Sequence, residues 1–276
     1  MKDGMLYLVS TPIGNLEDIT YRAVRVLREA DVIAAEDTRH TRKLLNNLEI
    51  KNRLISYHEH SGREREDMLL ALLREGKQVA LVTDAGTPLI SDPGAPIVKR
   101  AAAAGIAVVA VPGACAAIAA LSLSGMDTAR FLFEGFLPRD ASRRRALKRL
   151  AGHDCTFVLY ESPHHLKRTL EDLKEALGDR EISICKELTK IHETVDRTTL
   201  KEAAQRYAQM DIKGEYVLVL AGRELEEKAV ADAEIAAMLA ARMEAGETGK
   251  SAVKAVAEAL EVNKNRVYQV MLQEKQ

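Results

Sequence analysis

The hydrophobic positions of the chain fall into short continuous runs that alternate with longer segments of helical spacing. Apolar runs rich in valine, isoleucine and leucine predict strands at residues 6–10, 32–35, 54–56, 79–83 and 108–111. Segments built from good helix formers predict helices between them, at residues 21–30, 41–48, 64–74 and 95–104. Strands that alternate with helices of this length are typical of a mostly parallel sheet with crossover helices.

A second set of the same kind follows. Its predicted strands lie at residues 130–134, 157–161, 182–186 and 216–221, and its helices near residues 142–150, 165–177 and 200–209. A stretch of small residues at 114–124 predicts a helix that connects the two sets. The pattern therefore predicts an α/β fold of two domains with mostly parallel sheets, residues 1–113 and 114–224, and a cleft between them.

The composition changes after Gly222, where the chain becomes rich in alanine and glutamate and loses its strand pattern. Residues 250–260 and 264–272 predict two helices, and Asn263 between them is a candidate N-cap. Two short helices about a tight turn indicate a helical, helix-turn-helix-like domain at residues 225–276. A helical hairpin that caps the core or contacts a second copy of the chain explains the same pattern.

Length, composition and charge describe an ordinary globular protein. The chain has 276 residues, 47% of them hydrophobic and 29% charged. The net charge of −1 gives no general reason to expect a nucleic-acid partner, so any such interface must be a local patch. The first residues lack the apolar segment of a signal peptide, and glycine and proline break the longest apolar stretch. We therefore expect a cytoplasmic protein.

Proline and glycine punctuate the loops that follow three of the predicted strands, at residues 11–15, 84–94 and 112–115. Glycine lets a backbone approach a ligand closely, and proline fixes the shape of a loop. In parallel sheets, ligands bind beyond the carboxyl ends of the strands. The three loops together predict one ligand site.

The sequence also excludes two common classes of nucleotide-binding protein. It has no G-x-G-x-x-G turn after the first strand and no G-x-x-x-x-G-K-[ST] segment. The three loops hold few basic side chains, which argues against a polyphosphate. A neutral or zwitterionic, nucleoside-like ligand held by backbone groups fits better.

Two charged segments have both a structural and a functional interpretation. Glu36, Asp37 and Arg39 follow the second strand, where they either cap a helix or take part in chemistry. The densest basic run is either a solvated helix face or a contact for phosphates of RNA. It contains Arg139, Arg143, Arg144, Arg145, Lys148 and Arg149. We expect no metal site, because His58 and His60 have no further ligands at suitable spacing.

Six ordered segments closely resemble the family of ribosomal RNA small-subunit 2′-O-methyltransferase I, the 16S rRNA cytidine 2′-O-methyltransferases of the tetrapyrrole methylase superfamily. They are residues 11–19, 36–39, 84–94, 160–164, 186–190 and 214–216. The resemblance runs from about residue 6 to residue 222, and the helices after it resemble a small C-terminal domain of many members.

The resemblance implies a homodimeric, two-domain tetrapyrrole-methylase-like fold that binds S-adenosyl-L-methionine in the cleft. The implied substrate is the ribose 2′-oxygen of a cytidine in the decoding region of small-subunit rRNA, free or within the 30S subunit. Donor contacts carried over from the superfamily fall on Pro12, Gly14, Asp84, Gly86, Thr87, Leu89, Ala114, Cys115, Tyr160, Glu161, Leu188, Ala221 and Gly222. Cys115 stands where relatives often have a hydroxyl residue.

Methyl transfer to a ribose hydroxyl requires a group that accepts the hydroxyl proton. The candidate bases are Glu36, Asp37, Glu161, Lys186 and Glu187. The mechanism to test first places a carboxylate near the ribose hydroxyl, while Arg39 binds the adjacent phosphate.

Two other functions stay open at this point. One is a small-molecule methyltransferase of the same superfamily that acts on a porphyrinoid, which would not need the basic run or the terminal helices. The other is a non-enzymatic RNA-binding module, which would not bind the methyl donor at all.

Overall fold

The computed structural model describes residues 4–223, 230–260 and 262–273. The described residues up to Arg223 form one compact unit, and those from Val230 onwards form a second. The division of the first unit at residue 113 stays a prediction.

The first sheet is parallel throughout and has the strand order β3-β2-β4-β1-β5. Its strands are β1 (Met5–Val9), β2 (Val32–Ala35), β3 (Leu54–Ser56), β4 (Gln78–Val82) and β5 (Ala107–Val111). Its helices are α1 (Tyr21–Glu29), α2 (Thr38–Asn47), α3 (Arg63–Arg74) and α4 (Ala95–Ala103). The inner strands β2 and, after Gln78, β4 are continuous apolar runs because helices cover both of their faces.

The second sheet is mixed and has the order β6-β7-β10-β8-β9. Helix α5 (Ala116–Ser124) leads into it from the first sheet. Its strands are β6 (Phe131–Phe136), β7 (Thr156–Glu161), β8 (Glu181–Lys186), β9 (Thr194–Thr199) and β10 (Tyr216–Leu220). Its helices are α6 (Arg143–Ala151), α7 (Leu166–Leu177) and α8 (Leu200–Ala208).

The α/β class is confirmed, whereas mostly parallel pairing is found in the first sheet only. In the second sheet β6 pairs with β7 in parallel, and the pairs β7–β10, β10–β8 and β8–β9 are antiparallel. The loop at residues 187–193 is too short for a helical crossover, so β9 must run back along β8. Sequence analysis missed β9, because this edge strand consists mostly of polar residues and lacks the apolar pattern of a central strand.

The two faces of the second sheet are covered differently. Helices α6, α7 and α8 pack on one face around fully buried residues such as Phe157, Leu170 and Leu218. Helix α5 packs on the other face, where its small residues meet Val158 and Val219. The start of α5 therefore brings the loop after β5 close to the second sheet.

The described residues of the C-terminal unit form three helices, α9 (Asp232–Glu244), α10 (Gly249–Leu260) and α11 (Lys264–Gln273). They pack around Ile235, Val253, Val256 and Val267. Asn263 precedes α11, and its side chain accepts a hydrogen bond from the Asn265 backbone N–H, as an N-cap does. In the three described stretches of the chain, no helix has the length and apolar character needed to cross a membrane.

Candidate active site

The three loops singled out by their glycine and proline residues are joined by hydrogen bonds. Thr11 and Gly86 exchange two backbone hydrogen bonds, with N···O distances of 2.8 and 3.1 Å. The Thr87 hydroxyl lies 3.0 Å from the Ala114 carbonyl oxygen, to which it donates, and 3.0 Å from the Ser10 hydroxyl. Because β4, β1 and β5 are neighbours, these bonds join the loops beyond all three strands into one cradle.

A cavity of about 450 Å³ lies between this cradle and the second sheet. The first sheet contributes residues of the loops after β1, β2 and β4, and α5 contributes its first turn. The second sheet contributes Phe136, Tyr160, Leu188 and Val217. The volume falls within the range of small-molecule sites, and the lining is more apolar than polar, as is usual for them.

Backbone strain is concentrated beside this cavity. Leu89 and Ser91 in the loop after β4 have φ angles of 73° and 67°, and Glu187 and Thr189 after β8 have φ angles of 51° and 66°. Each left-handed non-glycine residue costs on the order of 1–3 kcal/mol, and such residues cluster at functional sites. Among the described residues, the only other non-glycine residue with positive φ is Glu49.

The cavity is acidic. Five carboxylate side chains line it, namely Glu36, Asp84, Asp92, Glu161 and Glu215. The described residues that line it include no lysine, arginine or histidine. An acidic wall repels a polyphosphate and attracts a cationic ligand.

Three of these carboxylates surround the end of β4. The buried Thr83 donates its hydroxyl proton to Glu36 Oε2 at 2.8 Å, and Asp84 accepts a hydrogen bond from the Asp37 backbone N–H at 3.1 Å. Burial raises the pKa of Asp92 to about 6, the charges of Glu36 and Asp84 add to the rise, and a hydrogen bond from Thr83 opposes it. Asp92 lies within a segment that carried the family resemblance, but sequence analysis did not single it out.

Tyr160 and Glu161 end β7 at the opposite wall. The Tyr160 hydroxyl accepts a hydrogen bond from the Ala117 backbone N–H at 3.1 Å, and its ring packs edge-on against Phe133 and Phe136. Burial raises the pKa of Tyr160 well above its usual range. The carboxylate of Glu161 is buried and accepts hydrogen bonds from the Ser162 backbone N–H and the Thr169 hydroxyl. Both side chains therefore hold the shape of this wall.

Arg143 was predicted to bind RNA, but the structure buries it. Its guanidinium donates to Asp172 at 2.7 Å, to Thr169 at 2.8 Å and to the Pro138 carbonyl. It supports Glu161 through Thr169 and is not available to a phosphate. The other five basic residues of the predicted patch, Arg139, Arg144, Arg145, Lys148 and Arg149, are exposed, although Arg149 pairs with Glu134.

Asp37 and Arg39 have the structural role, at the cap of a helix, that was one of the two interpretations of this segment. Asp37 is the N-cap of α2, where it accepts a hydrogen bond from the Arg39 backbone N–H at 2.8 Å. The Arg39 side chain pairs with it at 2.7 Å, and its hydrogen bonds hold the pKa of Asp37 well below its usual range. Neither residue lines the cavity, and Asp37 is a weak proton acceptor.

The candidate bases after β8 are also engaged elsewhere. Lys190 pairs with Glu187 at 2.9 Å and with Glu215 at 2.7 Å, and its hydrogen bond lowers the pKa of Glu187. Lys186, the last residue of β8, does not line the cavity, and neither does Glu187. Of the predicted bases, Glu36 and Glu161 line the cavity.

The predicted donor contacts divide into three groups. Those that line the cavity are Asp84, Gly86, Thr87, Cys115, Tyr160, Glu161 and Leu188. Those that lie in the surrounding loops without lining it are Pro12, Gly14, Leu89 and Ala114. The third group, Ala221 and Gly222, needs correction.

Ala221 and Gly222 lie at the far end of the second sheet. Strand β10 runs antiparallel to β7, so that Tyr216 is opposite Glu161 and Leu220 is opposite Phe157. The start of β10 therefore reaches the cavity, and its end does not. The lining residues there are Glu215, Tyr216 and Val217, and the sequence signal for them was the Gly214-Glu215-Tyr216 motif at the strand's start.

Histidine, cysteine and carboxylate side chains were also compared with the arrangement of a metal centre within the described residues. Among residues 4–223, 230–260 and 262–273, no group of three or more histidine, cysteine, aspartate or glutamate side chains is arranged to hold a metal ion.

Comparison with known proteins agrees with this architecture. The chain matches the tetrapyrrole (corrin/porphyrin) methylases over residues 5–204. A uroporphyrin-III C-methyltransferase from Thermus thermophilus is 26% identical, with a TM-score of 0.55 over 79% of this chain and 94% of its own. A structure of that kind of enzyme from the same organism, complexed with S-adenyl homocysteine, is 20% identical, with a TM-score of 0.56 over 79% and 97% of the two chains. The protein belongs to the tetrapyrrole methylase family.

Within that family, the chain belongs with the proteins named ribosomal RNA small subunit methyltransferase I. The one from Halalkalibacterium halodurans is 53% identical over 79% of this chain and 76% of its own length. The one from Synechocystis sp. is 45% identical over 98% of each. The resemblance found in the sequence segments is confirmed.

Proposed function

We propose that this protein is an S-adenosylmethionine-dependent methyltransferase that 2′-O-methylates the ribose of a cytidine in the decoding region of small-subunit (16S) rRNA. It works in the cytoplasm as a homodimer, on rRNA or on the assembled 30S subunit. The observation that carries the proposal is the acidic cavity bounded by three joined backbone loops in a chain of this family.

The residues around the cavity fit the methyl donor. S-adenosylmethionine carries a sulfonium and an ammonium group. Such a cation is attracted by the carboxylates that line the cavity, of which only Glu215 pairs with a basic side chain among the described ion pairs. Backbone groups of Ala85 and Ala116 supply neutral partners for an adenosine, and Ile13 and Leu188 supply apolar contacts. When bound, the donor supplies a methyl group that is already activated by the positive sulfur.

The protein's own contribution to catalysis is alignment and removal of a proton. The cradle of loops is rigid because Thr11, Gly86, Thr87 and Ala114 bond to one another. Rigid alignment of the hydroxyl oxygen with the methyl group, in a site that excludes water, supplies a large part of the rate. A carboxylate near the hydroxyl then accepts its proton.

Contacts to the phosphates of the RNA belong outside the cavity, since its acidic walls repel them. The exposed basic side chains of α6, Arg144, Arg145 and Lys148, provide a local positive patch on a chain whose net charge is −1. Several such charges add up along a phosphate backbone.

Two measurements test the proposed function. Calorimetry with S-adenosylmethionine and S-adenosylhomocysteine should give micromolar binding, and a chain that binds neither is a non-enzymatic RNA-binding module. Incubation with the donor and 30S subunits, naked 16S rRNA or a carboxylated porphyrinoid then identifies the acceptor, with the methylated nucleotide located by mass spectrometry. Methylation of the porphyrinoid alone would show that the protein is a small-molecule methyltransferase. The acidic cavity disfavours this outcome, because it repels the carboxylates of a porphyrinoid.

A further inference from the structure

Asp92 and Glu36 compete for one hydroxyl group. The buried Thr83 hydroxyl donates to Glu36 Oε2 at 2.8 Å and also interacts with the Asp92 carboxyl. A hydroxyl has one proton and two acceptor positions, so it can donate to only one of the two carboxylates at a time. While the hydroxyl proton goes to Glu36, it does not stabilise the charged form of Asp92, so the Asp92 carboxylate keeps its capacity to take a proton. The carboxylate that does not receive the Thr83 hydroxyl proton is therefore a candidate proton acceptor.

The other carboxylates of the region are less suited to that task. Glu161 already accepts two hydrogen bonds, and Glu215 pairs with Lys190. Asp84 accepts the Asp37 backbone N–H, and Glu36 accepts the Thr83 hydroxyl. Asp92 lines the same cavity and follows Ser91, whose left-handed backbone is one of the strained positions beside it.

We infer that Asp92 is the catalytic base, which contacts the acceptor hydroxyl and takes its proton during methyl transfer. This inference rests on the proposed function. The ribose O–H bond breaks and its proton goes to the Asp92 carboxylate, while the oxygen forms a bond to the methyl carbon. The carbon–sulfur bond breaks, and its electron pair stays on sulfur, which becomes a neutral thioether. No other reactant is needed.

The basicity of Asp92 fits this role. Burial raises its pKa to about 6, so the carboxyl is charged at neutral pH and still binds a proton far better than an ordinary aspartate does. The titratable groups that act on it from neighbouring elements are Glu36 after β2 and Asp84 after β4, and Tyr160 of β7 lies close enough to feel its charge.

The test compares Asp92→Asn with the wild type in single-turnover methyl transfer at saturating donor and rRNA substrate, from pH 5 to pH 9. The wild-type rate should fall about tenfold per pH unit below pH 6 and level off above it, because only the charged carboxylate accepts a proton. Asp92→Asn should lower the plateau about 10²–10⁴-fold and abolish this dependence, with a donor Kd within about threefold of the wild type by calorimetry. Asp127→Asn, in an exposed turn outside the cavity, is the matched control and should follow the wild-type profile.

Thermal unfolding shows whether the variant folds and tests the environment of Asp92 independently. A folded protein that keeps the Asp92 proton up to about pH 6 loses stability as pH rises from 4 to 6, since an unfolded aspartate is already charged there. Asp92→Asn escapes this loss, so its Tm should exceed that of the wild type at pH 8 and not at pH 4.

Glu36→Gln supplies a second route to the same answer. Removing this negative charge should move the midpoint of the pH–rate profile to lower pH, because the charged form of Asp92 is no longer repelled by Glu36. A wild-type rate for Asp92→Asn, or an unmoved midpoint for Glu36→Gln, overturns the assignment of Asp92. Absence of donor binding or of rRNA methylation by the wild type instead defeats the proposed function, so the two failures are distinguishable.

Discussion

The two walls of the cavity are built in different ways. The wall from the first sheet consists of backbone loops that bond to one another, with Glu36, Asp84 and Asp92 facing the cavity. The wall from the second sheet consists of side chains that are held from behind by helices, as Glu161 is held by Thr169 and Arg143. On the proposed function, the first wall supplies the proton acceptor and the backbone contacts to the donor, whereas the second wall sets the shape of the cavity.

Replacement of Arg143 should have the largest effect on stability, because it removes the support of the second wall. Arg143→Met leaves Asp172 without its main partner and the Thr169–Glu161 pair without its guanidinium, which should cost about 3 kcal/mol in the free energy of unfolding. Urea denaturation measures this cost. Its exposed neighbour gives the control, since Arg144→Met should change stability by less than about 0.5 kcal/mol. Equal costs for the two variants would mean that the second wall does not depend on this network.

A glycine pair tests whether the first wall holds the donor through its backbone. Gly86 and Gly105 have left-handed φ angles of 84° and 70°, so alanine at either position should cost on the order of 1 kcal/mol of stability. A side chain at Gly105 points into open space, whereas one at Gly86 stands in the cavity lining, 3.4 Å from Ile13. Gly86→Ala alone should therefore weaken donor binding, about tenfold by calorimetry. If both variants lose affinity for the donor, the loss reflects backbone strain in general and not a contact of the donor at Gly86.

The smallest effect is expected outside both walls, on the exposed face of α6. Arg145→Gln should weaken rRNA binding about threefold near physiological salt and reduce the slope of log K against log salt by about 0.7–0.9, as for one lost phosphate contact. Filter binding across a salt series measures both quantities. Arg25→Gln is the comparison, because Arg25 is exposed, lies on α1 away from α6 in the sequence, and pairs with Glu29 of the same helix. An unchanged salt slope for Arg145→Gln would show that Arg145 of α6 does not contact an RNA phosphate.

The first wall was largely readable from the sequence, and the second was not. Glycine and proline mark the turns at residues 11–15, 84–94 and 112–115, and parallel strands place all three turns at one edge. The direction of a strand leaves no trace in its hydrophobic pattern. The resemblance placed donor contacts at Ala221 and Gly222, but antiparallel β10 turns its other end, at Tyr216, towards the cavity.

Arg143 shows a second limit of prediction from sequence, namely that a charged residue in a basic run can be buried. Helical spacing would have indicated this burial. It sits in a basic run and carries the same charge as its neighbours, so composition places it with them. Its spacing sets it apart, because Arg143, Ala146, Leu147 and Leu150 share the buried face of α6. Asp92 had no comparable signal, since its raised pKa depends on burial and on carboxylates that are distant in the chain.

The lack of basic side chains among the described residues of the cavity has a consequence for ligand choice inside a cell. ATP shares the adenosine group of S-adenosylmethionine, and a pocket that recognised only adenosine would spend much of its time occupied by ATP. Carboxylates such as Asp84 and Glu36 repel a triphosphate and attract a sulfonium, so discrimination between the two ligands comes from charge. On the proposed function, the acidic lining that attracts the methyl donor therefore also disfavours ATP as a competitor.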